Sequence, residues 1–278
     1  MNGDIQPATA EPRFWKIGVA CLLLFTIVSL LAGWIAPHSL TESFMPFSPP
    51  SWSHPLGTND MGFDIFSELL HSGRISLTIG IIAALVSSLI GVLIGMLSGY
   101  LKGLFGELMV GMIDLFLLIP TLPLMIILAS QLGPSIWNIV FVISILGWCS
   151  TARAVRAKTL QLREQDFVTA LVALDIPTWR IILLHLFPNV LDIVSAKFVV
   201  SVAGAMLVET SLSFLGLGDP SAISWGSMMH FAFKRGGFAN GMWTWYLPPG
   251  LCVAACAVSF ILIGMSLERR DSGKLSWF

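Results

Sequence analysis

The run ISLTIGIIAALVSSLIGVLIGMLSGYL, residues 75–101, decides the fold, because it contains no charged side chain over a length that crosses a bilayer. A hydrocarbon core about 30 Å thick needs roughly 20 apolar residues of helix. Inside lipid the backbone N–H and C=O groups must be satisfied within the segment itself, and a helix achieves this. The run is therefore predicted to be a transmembrane helix.

The composition of the whole chain is that of a membrane protein. Its 278 residues are 55% hydrophobic and only 11% charged, and the mean hydropathy is +0.83. Soluble domains carry about 25% charged residues. The formal net charge is −1, and no basic patch interleaved with aromatic residues indicates a nucleic-acid partner. The chain is predicted to be an all-α membrane protein with lipids around it.

Further apolar runs bring the predicted number of transmembrane helices to six. The uncharged stretch 115–152 is almost twice the necessary length, and Gly133 followed by Pro134 provides turn chemistry between two spans. The first run is longer than the apolar core of a signal peptide and is predicted to be an uncleaved anchor. The predicted spans are residues 17–36, 75–101, two within 115–152, 190–217 and 247–267.

The basic residues predict the orientation, because short cytoplasmic loops are enriched in Lys and Arg. With the N-terminus inside, most of the 15 Lys and Arg residues are cytoplasmic, and Arg74, Lys234 and Arg235 are external. Both termini are then cytoplasmic. The predicted parts are a tail 1–14, a first helix 15–36, an external loop 37–74 with a short interfacial helix at about 60–71, a five-helix core 75–267 with a cytoplasmic loop 153–188, and a tail 268–278.

One face of the second span carries only small side chains. Ala83, Ser87, Gly91, Gly95 and Gly99 follow one another at four-residue intervals. Such stripes let the backbones of transmembrane helices approach closely. Chance spacing in a glycine-rich chain is the alternative, but the stripe favours a role in helix packing within a bundle.

The cytoplasmic loop contains two amphipathic patterns. Apolar residues recur at i, i+3, i+4 and i+7 in each, which is typical of a helix with one apolar face. Two short helices joined by a tight turn would fit a groove in a partner protein. A hairpin lying on lipid headgroups is the alternative. The two stripes are Phe167, Ala170, Leu171 and Leu174, then Trp179, Ile182, Leu183 and Leu186.

Few charged residues lie within the predicted spans. Because such residues are costly in lipid, Asp114, Lys197 and Glu209 are candidates for the transport path or for pairing. No catalytic site is predicted, because no serine and histidine pair or aspartate pair is brought together at one depth. The histidines form no cluster with metal-ligand spacing, so no metal site is predicted.

Several motifs resemble one family, the inner-membrane permease subunits of bacterial ABC importers of the dipeptide, oligopeptide and nickel type. The resemblance covers roughly residues 12–271. Asp114 with Pro120 and Pro123 resembles the family's third-span motif. The other matching stretches are LGTNDMGFD at 56–64, GRISL at 73–77, the loop LREQDFVTALVALDIPTWRIILLHLFPNVL at 162–191, ETSLSFLGLG at 209–218 and SWG at 224–226.

The loop departs from the family's EAA motif at two positions. Thr169 replaces the usual Glu, and Asp175 replaces the usual turn Gly. A glycine suits a helix end in the left-handed region because it has no Cβ, and Asp tolerates that conformation at a cost. The loop is therefore predicted to turn differently or to carry strain. Phe63 and Met265 are further departures from the family pattern.

The resemblance implies a multi-pass permease in the bacterial inner membrane. It would form half of the path for peptides or a related small solute, with nickel or a metal chelate as an alternative cargo. The implied partners are a second permease in a heterodimer, two cytosolic subunits that bind ATP and Mg, and an external solute-binding protein. The chain has no GxxxxGK[ST] pattern, so it is expected to hold no cofactor. The predicted ATPase contacts are Phe167, Thr169, Ala170, Leu171, Asp175, Trp179, Arg180 and Pro188.

Other functions remain as alternatives from the residues alone. An ATP-independent channel or scaffold needs only the bundle and the small-residue stripe. A membrane enzyme would need catalytic groups that the spans lack. The amphipathic loop favours the importer, because a channel has no need of a docking surface.

Overall fold

The computed structural model describes the backbone of residues 14–274 and the side chains of residues 14–268. Within this range it is helical, apart from loops and an isolated bridge between Thr58 and Asp64. The predicted tails lie outside the described residues except for Phe14 and positions 268–274. The helices are α1 (Phe14–Leu30), α2 (Ala32–Ile35), α3 (Ile65–Tyr100), α4 (Leu104–Leu118), α5 (Thr121–Leu132), α6 (Ile136–Gly147), α7 (Cys149–Arg163), α8 (Asp166–Ala173), α9 (Thr178–Arg180), α10 (Phe187–Phe214), α11 (Trp225–Lys234) and α12 (Trp243–Lys274).

Four of the described helices are long and apolar enough to cross a bilayer, and the bent pair α4 and α5 would make a fifth. Helix α1 is also apolar but is shorter, at 17 residues. The prediction of an all-α membrane protein is confirmed, whereas the count of six spans stays a prediction. The four long helices are Ile65–Tyr100, Ile136–Arg163, Thr178–Phe214 and Trp243–Glu268.

Helix α3 begins earlier than the sequence indicates. The separate interfacial helix expected at about 60–71 is wrong, because α3 runs without a break for 36 residues. The Asp64 carboxylate starts it by accepting hydrogen bonds from the Ser67 N–H at 2.8 Å and the Ser67 hydroxyl at 2.7 Å. Gly73 lies within this helix where the Trp225 ring packs closely, so that a Cβ there would lie 2.7 Å from the ring.

The third predicted span is bent and begins earlier than residue 115. It consists of α4 and α5, which meet at 88°. Pro120 causes the break, because proline has no N–H to continue a helix and pushes the preceding residue to extended geometry. Ile119 accordingly has ψ 130°. The break before the fourth span lies where the sequence indicates it, since α5 ends at Leu132 and the next residue, Gly133, has φ +84°.

The small-residue face of α3 lies against the helix formed by α6 and α7. A Cβ added to Gly91 would lie 2.8 Å from the nearest heavy atoms of that helix, and one added to Gly95 or Gly99 would lie 2.7 Å away. Ala83 and Ser87 are buried on the same face. The close approach positions α7 along the second half of α3, up to the loop that follows.

The second of the two predicted short helices is not separate. Helix α9, a π-helical segment Ile181–Leu186 and α10 form one continuous helical stretch from Thr178 to Phe214. The π-helical turn lies just before Pro188, whose ring would clash with the carbonyl group four residues earlier in an α-helix. The wider turn lets the helix pass the proline. The loop therefore holds one short helix, α8, and the beginning of a span helix.

Candidate functional site

The loop between α7 and the helix at Thr178 begins where α3 ends. The Arg163 guanidinium donates hydrogen bonds to the carbonyl oxygens of Gly99 at 3.1 Å and Tyr100 at 3.4 Å. These carbonyls belong to the last turn of α3, where no intrahelical donor is available. Arg163 thereby joins the end of α7 to the end of α3.

Helix α8 is attached to the bundle by an apolar cluster. Val168 is 2% exposed and belongs to the same cluster as Leu162 and Ile181. Leu171 and Ile176 pack against this cluster from either end of the turn that follows α8. Burial of a valine side chain stabilises by about 1.5 kcal/mol or more. The short helix is thus held in a defined place on the bundle.

The turn after α8 has the hydrogen bonds of a Schellman motif. The Ile176 N–H donates to the Leu171 carbonyl at 3.1 Å, and the Asp175 N–H donates to the Val172 carbonyl at 3.0 Å. Asp175 has φ +57°, in the left-handed region. The apolar contact that usually accompanies the motif joins Leu171 to Ile176 through their common cluster. Asp175 therefore takes the conformation that the family's glycine would favour, with the strain that a Cβ brings.

The loop keeps large apolar side chains on its outer surface. Phe167 is 38% exposed and Trp179 is 56% exposed, with the Arg180 guanidinium carbon 5.2 Å from the Trp179 ring centroid. Of the predicted ATPase contacts, only Leu171 is partly buried. The exposed ones are Phe167, Thr169, Ala170, Asp175, Trp179, Arg180 and Pro188.

The second apolar stripe does not form a single face. Ile182 is 9% exposed and Leu186 is fully buried, whereas Trp179 and Leu183 are more than half exposed. The π-helical turn changes the angular spacing, so offsets based on 3.6 residues per turn fail there. Val172, which is 56% exposed, adds to the outer apolar surface and was missed because it lies off the α8 stripe.

Two of the charged residues predicted for the spans are paired. Oδ1 of Asp114 accepts a hydrogen bond from the Arg153 guanidinium at 2.8 Å. Lys197 Nζ lies 3.4 Å from Glu268 Oε1. The side chains of Asp114 and Arg153 are 55% and 62% exposed on the surface of the bundle. A role for Asp114 and Lys197 in the transport path stays a prediction.

Glu209 is enclosed where three helices meet. It is fully buried and accepts hydrogen bonds from the hydroxyl groups of Ser213 at 2.8 Å and Ser76 at 3.4 Å. The Ser76 Oγ in turn accepts from the Trp225 N–H at 3.1 Å. These contacts link α10, α3 and α11. In this conformation Glu209 contacts hydroxyl groups and not an open passage.

The sequence of this loop and of the helices around it matches a known family. Residues 91–270 match the family described as "Binding-protein-dependent transport system inner membrane component". The chain belongs to this family. It is similar to the dipeptide transport system permease protein DppC of Escherichia coli (strain K12), with 32% identity over an alignment that covers 97% of this chain and 95% of the relative. The corresponding protein of Bacillus subtilis (strain 168) is 30% identical over 261 residues, covering 93% of this chain and 81% of the relative.

As a member of this inner-membrane family with several apolar helices, the permease is a multi-pass inner-membrane protein. Two of its five histidines lie in the loop before α3, where the rings of His38 and His54 are 4.7 Å apart and His54 Nδ1 lies 3.1 Å from Asp64 Oδ1. Over residues 14–268 the permease shows no group of three or more His, Cys, Asp or Glu side chains that could hold a metal ion.

Proposed function

We propose that this permease forms half of the translocation path of an ATP-driven importer for peptides or a related small solute. The names of the similar proteins from Escherichia coli and Bacillus subtilis support peptides, while nickel or a metal chelate is the alternative cargo. The observation that carries the proposal is an exposed apolar surface on a firmly attached loop. We call it the coupling surface, and it consists of Phe167, Ala170, Leu174 and Trp179.

The partners follow from the family and from the chain itself. Two cytosolic subunits that bind ATP and Mg supply the energy, because this chain carries no phosphate-binding loop of its own. A second, similar permease completes the path, and an external solute-binding protein delivers the cargo. The distribution of Lys and Arg supports an orientation with both termini and the coupling surface in the cytoplasm.

The construction of the loop supports a mechanical role. Only residues 164–177 separate the helix Ile136–Arg163 from the helix Thr178–Phe214. Val168 is buried between them, and Arg163 ties α7 to the end of α3. When the ATPases close on ATP, a force on α8 is therefore passed to both long helices together. Their joint movement would rock the path between its inward-open and outward-open states.

The substitution Trp179→Ala tests the proposal. Loss of an aromatic anchor from a protein interface typically costs about 2 kcal/mol or more, which corresponds to roughly a 30-fold loss of affinity. We expect less ATPase to co-purify with the permease, and slower ATP-driven uptake in vesicles. Trp137→Ala is the matched control, since Trp137 is 68% exposed at the start of α6, far from the loop.

Retention of the ATPase and normal uptake in Trp179→Ala would count against the coupling surface. Uptake that proceeds without ATP, in an assembly that contains no ATPase, would instead favour a channel or scaffold. Identification of the compound that the external binding protein carries would decide the cargo.

A further inference from the structure

A row of exposed aromatic rings lies where α10 ends, α11 ends and α12 begins. The ring centroids of Phe214 and Phe233 are 6.1 Å apart. Phe238 continues the row, with its ring centroid 5.7 Å from that of Phe233 and 4.1 Å from that of Tyr246. Phe214, Phe233 and Phe238 are 40%, 63% and 53% exposed. Apolar side chains that touch one another and stay exposed form a patch, and such patches mark contacts with proteins or membranes. We call these four residues the aromatic row.

Exposed tryptophans lie at the ends of three apolar helices. Trp34 is 91% exposed in α2, Trp137 is 68% exposed as the second residue of α6, and Trp243 is 57% exposed as the first residue of α12. Tryptophan is enriched at the boundary between membrane and water, because its ring is apolar and its N–H is polar. From Trp15 to Trp34 the first span rises about 28 Å, which matches a hydrocarbon core about 30 Å thick. Tyr246 of the aromatic row lies one turn after Trp243, near this boundary.

Polar contacts place these helix ends on one side of the membrane. Arg235 Nη1, just after the end of α11, lies 3.6 Å from Asp60 Oδ2 in the loop that follows α2. The Ile136 N–H at the beginning of α6 donates to Asp219 Oδ2 at 3.4 Å, and Asp219 belongs to the loop that follows α10. The aromatic row therefore lies on the same side as the three exposed tryptophans.

The aromatic row continues into the least buried of the four long helices. The apolar part of α12 is 28% buried, whereas that of the helix Ile136–Arg163 is 61% buried. Exposed apolar side chains follow Trp243 along α12 at Leu247, Leu251 and Val258. In an inner-membrane protein, lipid chains are the apolar surroundings that such a face meets. The row is thus the boundary end of a surface that faces lipid.

Lys234 adds a positive charge to the aromatic row. It is the last residue of α11, follows Phe233 directly and is exposed. Over residues 14–268 no carboxylate pairs with it. Arg235, in contrast, lies beside Asp60, and its guanidinium carbon is 4.2 Å from the Phe231 ring centroid. A free ammonium next to apolar rings suits an anionic lipid, whose headgroup attracts the charge while the rings contact the upper acyl chains.

We propose that the aromatic row and Lys234 bind an anionic phospholipid of the surrounding membrane. The Lys234 ammonium donates to the headgroup phosphate, and the rings of Phe233 and Phe238 lie between the headgroup and the upper part of the acyl chains. The contact fixes the height of α11 at the membrane boundary. At the other end of α11 the Trp225 N–H donates to Ser76 Oγ at 3.1 Å, so the lipid and the bundle hold opposite ends of one helix.

A fluorescent probe beside the row tests this contact in the purified complex, reconstituted in lipid vesicles. Ala239→Cys places a nitrobenzoxadiazole probe at an exposed position next to Phe238. Phosphatidylglycerol and phosphatidylcholine with the same nitroxide-labelled acyl chain serve as quenchers. Both should quench the probe, and phosphatidylglycerol should reach half quenching at about a fivefold lower lipid fraction, which is the factor that a lysine gives at an anionic surface. Protein without Ala239→Cys measures any labelling of the four native cysteines.

Substitutions at Lys234 assign the charge in the protein that carries the probe. Lys234→Gln should remove the preference for phosphatidylglycerol, while both lipids still quench. Lys234→Arg keeps the positive charge and should retain the preference. Lys102→Gln is the matched control, because Lys102 is an exposed lysine between α3 and α4, and its loss should leave quenching beside the row unchanged.

Three results overturn the proposal. Absence of quenching by either lipid means that another subunit or water, and not lipid, covers the row. Equal quenching by the two lipids in the unsubstituted row, or a preference that survives in Lys234→Gln, means that Lys234 holds no anionic headgroup. The measurement needs neither ATP nor transport, so its outcome is separate from that of Trp179→Ala on the coupling surface.

Discussion

At the loop end of the bundle Phe167 and Trp179 are 38% and 56% exposed, whereas at the opposite end Trp225 and Trp245 are each 1% exposed. The loop end is held from beneath by apolar side chains such as Val168. The opposite end is held by a buried polar network around Glu209. The difference shows that the same chain leaves large apolar side chains uncovered at one end and, at the other, encloses Trp225 and Trp245 beside a junction of α3, α10 and α11.

The physical reasons for the two designs differ. Apolar side chains on the coupling surface are stabilised only when a partner removes them from water. At the junction, the carboxylate of Glu209 is stabilised within the chain, because the hydroxyl groups of Ser76 and Ser213 donate to it. Substitutions at the junction should therefore change stability, while those on the coupling surface should change binding.

The largest expected effect tests the polar junction. Glu209→Ala removes the acceptor for two buried hydroxyl groups and leaves a cavity, so the free energy of unfolding should fall by about 3 kcal/mol. Unfolding of the purified permease in detergent measures this change. Glu209→Gln keeps the shape and one acceptor oxygen, so it should lose clearly less. An unchanged stability in Glu209→Ala would contradict the contrast between the two ends.

The next effect tests how the loop end is held. A Cβ at Gly95 would lie 2.7 Å from the Ala152 carbonyl oxygen, so Gly95→Ala should force α7 away from α3 at a cost of about 1–3 kcal/mol. The same unfolding measurement applies. Gly111→Ala is the matched control, because Gly111 is helical with no neighbouring atom within 4 Å and alanine should be neutral or stabilising there. Equal stabilities in the two variants would count against the close α3 to α7 contact.

The smallest effect concerns the turn beside the coupling surface. Asp175 has φ +57°, so Asp175→Gly should relieve strain and stabilise the permease by up to about 1 kcal/mol. The same change at Asp192, an exposed position within α10, should destabilise by about 0.5 kcal/mol, because glycine weakens a helix interior. Differential scanning fluorimetry compares the two signs. A loss of stability in Asp175→Gly would show that the aspartate makes a favourable contact in the turn.

Part of the fold could be read from local patterns. The apolar runs predict the helical membrane class, and Gly133 followed by Pro134 marks the end of α5. The stripe from Ala83 to Gly99 predicts a close helix contact, and the structure places α6 and α7 against it. These features depend on residue type and spacing along one helix, and so they are visible without a partner element.

The site was predicted less completely than the fold. The sequence identifies the loop and most of its exposed residues, but it assigns Ile182 and Leu186 to the outer stripe, whereas both are buried. It also treats the helix before Pro188 as a separate element, because the widening of a helix into a π-helical turn has no signature in a 3.6-residue pattern. The 88° bend at Pro120 was missed for a related reason, since a proline within an apolar run fixes a break but not its angle.

The sequence by itself determined that this chain is a helical membrane permease with an amphipathic loop, because hydropathy and motif spacing act locally. Only the tertiary structure decided which side of that loop is buried, where Asp114 and Glu209 find their partners, and that the rings of Phe214 and Tyr246 belong to one row. These arrangements depend on contacts between helices far apart in the chain, and a local pattern holds no information about the distances between them.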